Sequence, residues 1–134
     1  MLDHHRALVY TMVIVSAADS DVPEAELRII GDIVGDLPIF RDFDPDELAQ
    51  ALDDCTELLN RENGLEETLK VIKAALPAKL RETAYAIACD LVAADGAATQ
   101  EELRILELIG QRLNIDRLVA AALERGARAR FQTL

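Results

Sequence analysis

The sequence has few residues that could form disulfide bonds or bind a soft metal, and it has few aromatic residues. Its two cysteines, Cys55 and Cys89, lie in different predicted helices without a CxxC spacing, so neither a zinc knuckle nor a redox pair is indicated. We interpret both as buried apolar residues. Tryptophan is absent and aromatics make up 4% of the chain, whereas 51% is hydrophobic, mainly Ala, Leu, Ile and Val. This mixture favours packed helices.

Positive charge is also scarce, because 14 basic residues face 25 acidic ones and the net charge is −11. Such a surface repels polyanions, so nucleic acid is excluded as a partner and cations or basic partners are favoured. Four arginines gather near the end of the sequence: Arg117, Arg125, Arg128 and Arg130. We interpret them as complementing the negative end of a helix dipole. Docking to a partner, or peripherally to an anionic membrane surface, is the alternative.

Long apolar runs are missing, since none reaches the roughly 20 residues of a membrane span. Residues 7–18, ALVYTMVIVSAA, imitate a short secretory signal, but they have a counterpart at 83–94 inside the chain. We therefore interpret 7–18 as a core helix and expect a soluble cytoplasmic protein. The preceding Asp3, His4 and His5 are interpreted as a frayed polar N-terminus rather than a metal site, because adjacent histidines on a helix point about 100° apart.

What the sequence does contain is an internal duplication at an offset of 76 residues. Residues 17–30 match 93–106 at seven of fourteen positions, where composition alone gives about one. The identical pairs are Ala17/Ala93, Ala18/Ala94, Asp19/Asp95, Glu26/Glu102, Leu27/Leu103, Arg28/Arg104 and Ile29/Ile105. The apolar pattern continues at helical spacing as far as Leu37 and Leu113. Two copies predict two helix-loop-helix units in one globule rather than a solenoid.

The predicted fold is all-α, a single domain of about seven helices over residues 1–134. Its parts are repeat 1 at about 7–38, intervening helices at about 44–76, repeat 2 at about 77–113 and a C-terminal helix at about 116–128. Asp44 and Asp116 are the expected N-caps of two helices. Gly64 is expected to break the helix that follows Asp44, and Asn114 to adopt the left-handed conformation after a helix.

The second junction, DGAATQEE at 95–102, is explained by local structure alone. Thr99 and Glu102 form a predicted capping box, in which each side chain accepts the other residue's backbone N–H. Gly96 supplies a turn with positive φ, and Asp95 is expected to accept hydrogen bonds from loop amides. Glu102 is therefore accounted for without any ligand.

The first junction fits this account less well. Pro23 stands where Thr99 stands, and proline has neither a hydroxyl nor an N–H with which to form the box. This junction is also more acidic, because four carboxylates fall within eight residues: Asp19, Asp21, Glu24 and Glu26. Carboxylates this close repel one another, so they either spread into solvent or gather around a cation.

We expect the two junctions to meet across a pseudo-twofold axis and to pool their carboxylates into one divalent-cation site. The expected metal ligands are Asp19, Asp21, Glu26, Asp95 and Glu102. Carboxylate oxygens suit Ca²⁺, Mg²⁺ or Mn²⁺ better than they suit thiophilic metals. An EF-hand is excluded, because the twelfth positions counted from Asp19 and Asp95 are apolar. The alternative is that these residues form turns, caps and a solvated acidic face.

The motif Ala-Ala-Asp-Gly at 93–96 followed by Glu102, with its copy Ala-Ala-Asp-Ser at 17–20 followed by Glu26, resembles the TerB-like family of tellurite-resistance proteins. The resemblance covers nearly the whole chain, and related domains occur in a bacterial membrane-linked J-domain co-chaperone. It implies an all-helical domain without known catalysis, associated with stress and metal resistance. The cation-site residues that it implies are Asp19, Glu26, Asp95 and Glu102, and the local acidity adds Asp21. Ser20 and Pro23 depart from the family pattern.

Catalytic motifs are absent from the sequence. It contains no GxSxG, no HExxH and no glycine-rich phosphate loop, so we expect that the protein is not an enzyme. The first functional hypothesis is a cation-responsive binding module that presents a helical surface to a protein partner. The second is a metal-independent protein-interaction domain, and the last is a hydrolase that uses the carboxylates. The ion, the partner and the oligomeric state stay open.

Overall fold

The computed structural model describes residues 2–19, 24–94, 96 and 98–134, without the side chain of Asp19. Within these ranges the chain forms seven α-helices and no strand, which confirms the predicted all-α class. The helices are α1 (His4–Ser16), α2 (Glu24–Asp36), α3 (Leu48–Leu59), α4 (Gly64–Ala75), α5 (Ala78–Ala94), α6 (Gln100–Arg112) and α7 (Arg117–Arg130). Short 3₁₀ turns lie at Ala17–Asp19, Pro38–Phe40 and Pro45–Glu47.

Helix α1 lies at the centre of the core and contacts α3, α4, α5 and α6. Every residue from Ala7 to Ser16 is buried. A helix that is apolar on all sides is expected where other helices surround it. The interpretation of residues 7–18 as a core helix is therefore confirmed, with the last two of these residues in the following 3₁₀ turn. No helix in the described part of the chain is long and apolar enough to cross a membrane.

The predicted helix-loop-helix units correspond to α1–α2 and α5–α6, and their contacts are reciprocal. Helix α1 contacts α5 and α6, and α5 in turn contacts α2. Burial also agrees position by position between 24–30 and 100–106: the third and seventh residues are buried and the sixth is half-buried in both. This pattern is the one expected for two halves that face each other, and the pseudo-twofold relation itself stays a prediction.

Several predicted helix ends are confirmed by their hydrogen bonds. The carboxylate of Asp44 accepts the N–H of Asp46, and the carboxylate of Asp116 accepts two N–H groups at the start of α7. Asn114 has a φ of 56°, the left-handed conformation that was expected after α6. Each capping side chain accepts backbone N–H groups that lie within three residues of it. This closeness is why the sequence predicts these helix ends.

Gly64 has a different role from the expected helix breaker. Helix α3 ends at Leu59, Gly64 is the first residue of α4, and the left-handed residue of the connecting turn is Asn63, with a φ of 57°. A Cβ on Gly64 would lie 2.2 Å from the carbonyl oxygen of Leu59. Glycine is therefore required because the last turn of α3 passes against its backbone, leaving no room for a side chain.

The expectation of a frayed N-terminus is wrong. His5 is 6% exposed, and its Nε2 lies 3.0 Å from both the carbonyl oxygen of Ile39 and Oδ1 of Asp42. Because both partners are acceptors, Nε2 carries the proton and donates. The ring also packs against Phe40 and Phe43. The pKa of Asp42 is lowered from its ordinary value, because its own backbone N–H and then the His5 ring donate hydrogen bonds to the carboxylate. His5 thus anchors α1 to the segment after α2.

Candidate functional site

The first junction joins α1 to α2, and its residues are described up to the backbone of Asp19 and again from Glu24. The turn Ala17–Asp19 contacts α6 of the second unit. Glu26 lies in the first turn of α2 and is only 6% exposed. Asp21 lies outside the described residues, as does the side chain of Asp19. The first junction therefore lies beside the second unit, which the pooled site requires.

The second junction joins α5 to α6 and carries the predicted capping box. Oγ1 of Thr99 accepts the Glu102 N–H at 3.0 Å, and Oε1 of Glu102 accepts the Thr99 N–H at 3.0 Å. Gly96 has a φ of 80°, as expected for the turn. Glu102 is 3% exposed. Asp95 lies outside the described residues.

Glu26 and Glu102 are buried at equivalent positions of the two units, but they are held differently. Burying a carboxylate is unfavourable unless hydrogen bonds or opposite charges compensate for the lost water. At Glu102 the capping box supplies one such bond. Position 23 holds proline, which has neither a hydroxyl nor an N–H, so the sequence excludes the same capping box around Glu26. Glu26 is held in its buried position by other interactions.

Ser16, the last residue of α1, places a further oxygen next to the first junction. The residue is 3% exposed, and its Oγ has no hydrogen-bond partner among the residues that the structure describes. An unpaired buried polar group costs about 1–3 kcal/mol. A hydroxyl in this position can serve as a neutral oxygen ligand for a hard cation.

The predicted set of five ligands is described only in part. The side chains of two of them, Glu26 and Glu102, are described, and both are buried. Among the described residues, no group of three or more His, Cys, Asp or Glu side chains is arranged to hold a metal ion. Because Asp21, Asp95 and the side chain of Asp19 lie outside that part of the chain, the full set stays a prediction.

Two surface grooves beside the junctions were not predicted. The α1–α3 groove has a volume of about 590 Å³, and its lining includes Val13, Ala17, Leu27, Leu52, Asp53 and Ile105. The α5–α7 groove has a volume of about 310 Å³, and its lining includes Cys89, Ala93, Leu103, Glu124, Arg128 and Phe131. Three positions correspond at the offset of 76: Val13/Cys89, Ala17/Ala93 and Leu27/Leu103. Leu27 and Leu103 are 39% and 46% exposed. In the sequence, the identity of these two leucines at the offset of 76 was the signal that could have pointed to the two grooves.

The thiols and the buried tyrosine of α5 offer no reactive group. Cys55 and Cys89 are free and buried, as expected, and burial raises the pKa of each to about 12. Neither is therefore a thiolate at neutral pH. The hydroxyl of Tyr85 donates to Oε2 of Glu124 at 2.9 Å, and burial raises the pKa of Tyr85 well above its usual range. The hydrogen bond between Tyr85 and Glu124 joins α5 to α7.

Taken together, a central apolar helix, two helix-loop-helix units in reciprocal contact and an equivalent buried glutamate in each unit define an all-helical acidic domain. Residues 5–124 match the family described as tellurite resistance protein TerB. The chain belongs to that family, which confirms the resemblance in the sequence. Comparison with curated proteins and with solved structures gives no match. The matched range ends inside α7, before Arg125.

Proposed function

We propose that this member of the tellurite-resistance family is a cation-responsive binding module that acts in the cytoplasm during stress. Ca²⁺, Mg²⁺ or Mn²⁺ binds where the two junctions meet and fixes the two helix-loop-helix units relative to each other. The expected ligands are Asp19, Asp21, Glu26, Asp95 and Glu102. The helical surface fixed in this way is offered to a protein partner, and the module itself carries out no catalysis.

The observation that carries this proposal is the burial of Glu26 and Glu102 at equivalent positions, together with the contact between the turn Ala17–Asp19 and α6. A cation coordinated by oxygens from both junctions would link the two units directly. The hydroxyl of Ser16, the last residue of α1, is a neutral oxygen at the start of the first junction. Since carboxylates must lose water to be buried, a bound cation would also offset part of that loss.

A metal-independent interaction domain is the second candidate, and the capping box favours it. The bond from the Thr99 N–H to Glu102 gives one of the two buried carboxylates a purely structural role. In that case the grooves and helix faces would bind a partner without any ion. The two candidates differ in whether a divalent ion stabilises the folded state.

A melting series separates the two candidates. A ligand that binds only the folded state at a hundred times its Kd adds about 2.7 kcal/mol. In a chain of this size, that corresponds to a rise in Tm of roughly 10 °C. We expect such a rise when Ca²⁺, Mg²⁺ or Mn²⁺ is added to protein stripped with EDTA, and metal analysis of the purified protein identifies the ion that it carries.

Matched variants test whether the junctions bind the ion. Asp19→Asn combined with Asp95→Asn is expected to abolish the rise in Tm. Asp32→Asn combined with Asp36→Asn changes two exposed carboxylates of α2 and removes the same charge, so the rise should persist. A Tm that no divalent ion changes would favour the metal-independent domain, and a rise that survives in the junction variant would place the ion elsewhere.

A further inference from the structure

The α1–α3 groove is an apolar surface to which the proposed function gives no occupant. Its walls include Val13 of α1, Leu27 of α2, Leu52 of α3 and Ile105 of α6. Leu27 is 39% exposed, although it begins the apolar stripe of its helix. Covering apolar surface stabilises a complex by about 25 cal/mol for each Å² removed from water. A groove of this kind fits the apolar side of a helix.

The charge of the groove and of the molecule around it is negative. Among the described residues that line it, Asp53 is the one charged side chain. Residues 117–134 contain four arginines and one glutamate, a net charge of +3, so the rest of a chain with net charge −11 carries −14. A field of this sign attracts cationic partners and repels acidic ones.

The two grooves are flanked by equivalent helices of opposite net charge. Helix α3 packs on α1 as α7 packs on α5, and Ala17 and Leu27 correspond to Ala93 and Leu103. Helix α7 carries four arginines and one glutamate, whereas α3 carries three acidic residues and no basic one. An apolar surface that is flanked by an acidic helix favours a partner helix of positive charge.

We propose that the α1–α3 groove binds a basic amphipathic helix of a partner protein. An apolar side chain of that helix packs against Leu27 and Leu52, and a cationic side chain lies beside Asp53. Side chains at i, i+3 or i+4, and i+7 of the bound helix face the groove, as in other helix-in-groove complexes. This inference rests on the part of the proposed function in which the protein binds a protein partner. It adds the binding surface and the class of partner, and it does not depend on the metal site.

The test uses the full chain and a fluorescently labelled peptide, RLVAAALERGARARFQTL, which copies residues 117–134 and has the required charge and apolar side chains. Anisotropy is expected to show saturable binding that weakens as salt is added. Leu27→Lys removes the apolar contact and introduces a like charge, and it should weaken binding at least about tenfold. Leu103→Lys makes the same change at the equivalent exposed position of the α5–α7 groove and should leave binding within about twofold.

A second pair of variants tests the charge. Asp53→Lys is expected to weaken binding about as much as Leu27→Lys, because a cation then faces a cation. Asp32→Lys changes the net charge equally at an exposed carboxylate that does not line the groove, so its effect should be small. A peptide in which glutamate replaces the four arginines should not bind. If Leu27→Lys proves unfolded by circular dichroism, the Asp53→Lys and Asp32→Lys pair decides the question.

Three outcomes would overturn the proposal. The first is that no peptide binding is detected. The second is binding that Leu103→Lys abolishes and Leu27→Lys does not, since the peptide would then replace the chain's own α7. The third is self-association of the full chain that Leu27→Lys abolishes, which would make a second copy the occupant. If the peptide binds in EDTA and no divalent ion raises the Tm, the groove proposal stands and the metal site is contradicted. If a divalent ion raises the Tm and the peptide does not bind, only the metal site stands.

Discussion

The two helix junctions share Ala-Ala-Asp and Glu-Leu-Arg-Ile, yet they begin their second helices in different ways. At the second junction, Thr99 and Glu102 satisfy each other's backbone N–H groups. At the first junction, Pro23 excludes that exchange, although Glu26 is buried almost as completely as Glu102. The shared residues alone therefore do not define a site. The same pair of alanines, aspartate and glutamate begins a capped helix at the second junction and a helix preceded by proline at the first.

The two grooves also differ, in the charge of the side chains that line them. The α5–α7 groove is bordered by the basic helix α7 and is lined by Arg128 and Glu124, whereas Asp53 is the charged side chain among the described residues of the α1–α3 groove. Helix α3 packs on α1 as α7 packs on α5, so the two grooves differ in charge rather than in whether a helix of the chain flanks them. This difference in charge is the reason to look for a basic partner at the α1–α3 groove.

The largest expected effect comes from the buried residues of the two units. Ile30 is fully buried and Leu106 is 6% exposed at the equivalent position. Truncating such residues leaves a cavity as well as lost apolar contact, so we expect Ile30→Ala to lower the free energy of unfolding by about 4 kcal/mol and Leu106→Ala by about 3 kcal/mol. Urea unfolding measures both. A loss below about 1 kcal/mol in only one variant would contradict an equal role of the two units.

A smaller effect separates the two junctions. Thr99→Ala removes the cap of α6 and should lower the free energy of unfolding by about 1 kcal/mol. Pro23→Thr supplies the hydroxyl and the N–H that the first junction lacks. We expect it to stabilise the protein by roughly 0.5 kcal/mol, because greater freedom of the unfolded chain offsets part of the new cap. Pro23 lies outside the described residues, so this expectation rests on the sequence. Urea unfolding that gives the same sign for both variants would contradict it.

The smallest effect concerns the contact between His5 and Asp42, which belongs to the first unit. The folded-state pKa of Asp42 lies below its ordinary value of 3.8. The contribution of this carboxylate to stability is therefore present above pH 3.8 and is lost as the pH falls through the lower folded-state value. Asp42→Asn should make the urea midpoint less sensitive to acid below that pH. Identical acid sensitivity in the variant and the parent protein would contradict the expectation.

The helices and their ends could be predicted because their signals are local. Asp44, Asp116 and Thr99 satisfy N–H groups within three residues, and Asn114 needs only its own backbone conformation. Glu102, a predicted site residue, is placed by the same rule. The remaining predicted ligands depend on how the two junctions meet, which no local pattern specifies.

Contacts between distant segments could not be predicted in this way. His5 binds Asp42 across 37 positions, and the burial of α1 on all sides gives no periodicity that would orient the ring. Each groove is formed by at least three helices, so the exposure of Leu27 appears only after packing. The role of Gly64 likewise depends on the close approach of the Leu59 carbonyl group.

The burial of both native cysteines has a practical consequence for measuring the distance between the two units. Since Cys55 and Cys89 are buried and protonated at neutral pH, alkylating reagents and nitroxides will react with them slowly. A wild-type background therefore already suits site-directed labelling, and cysteines introduced at positions 27 and 103 would carry the probes on exposed, matched sites. The spin-spin distance between them reports directly whether an added ion brings the halves to a single spacing.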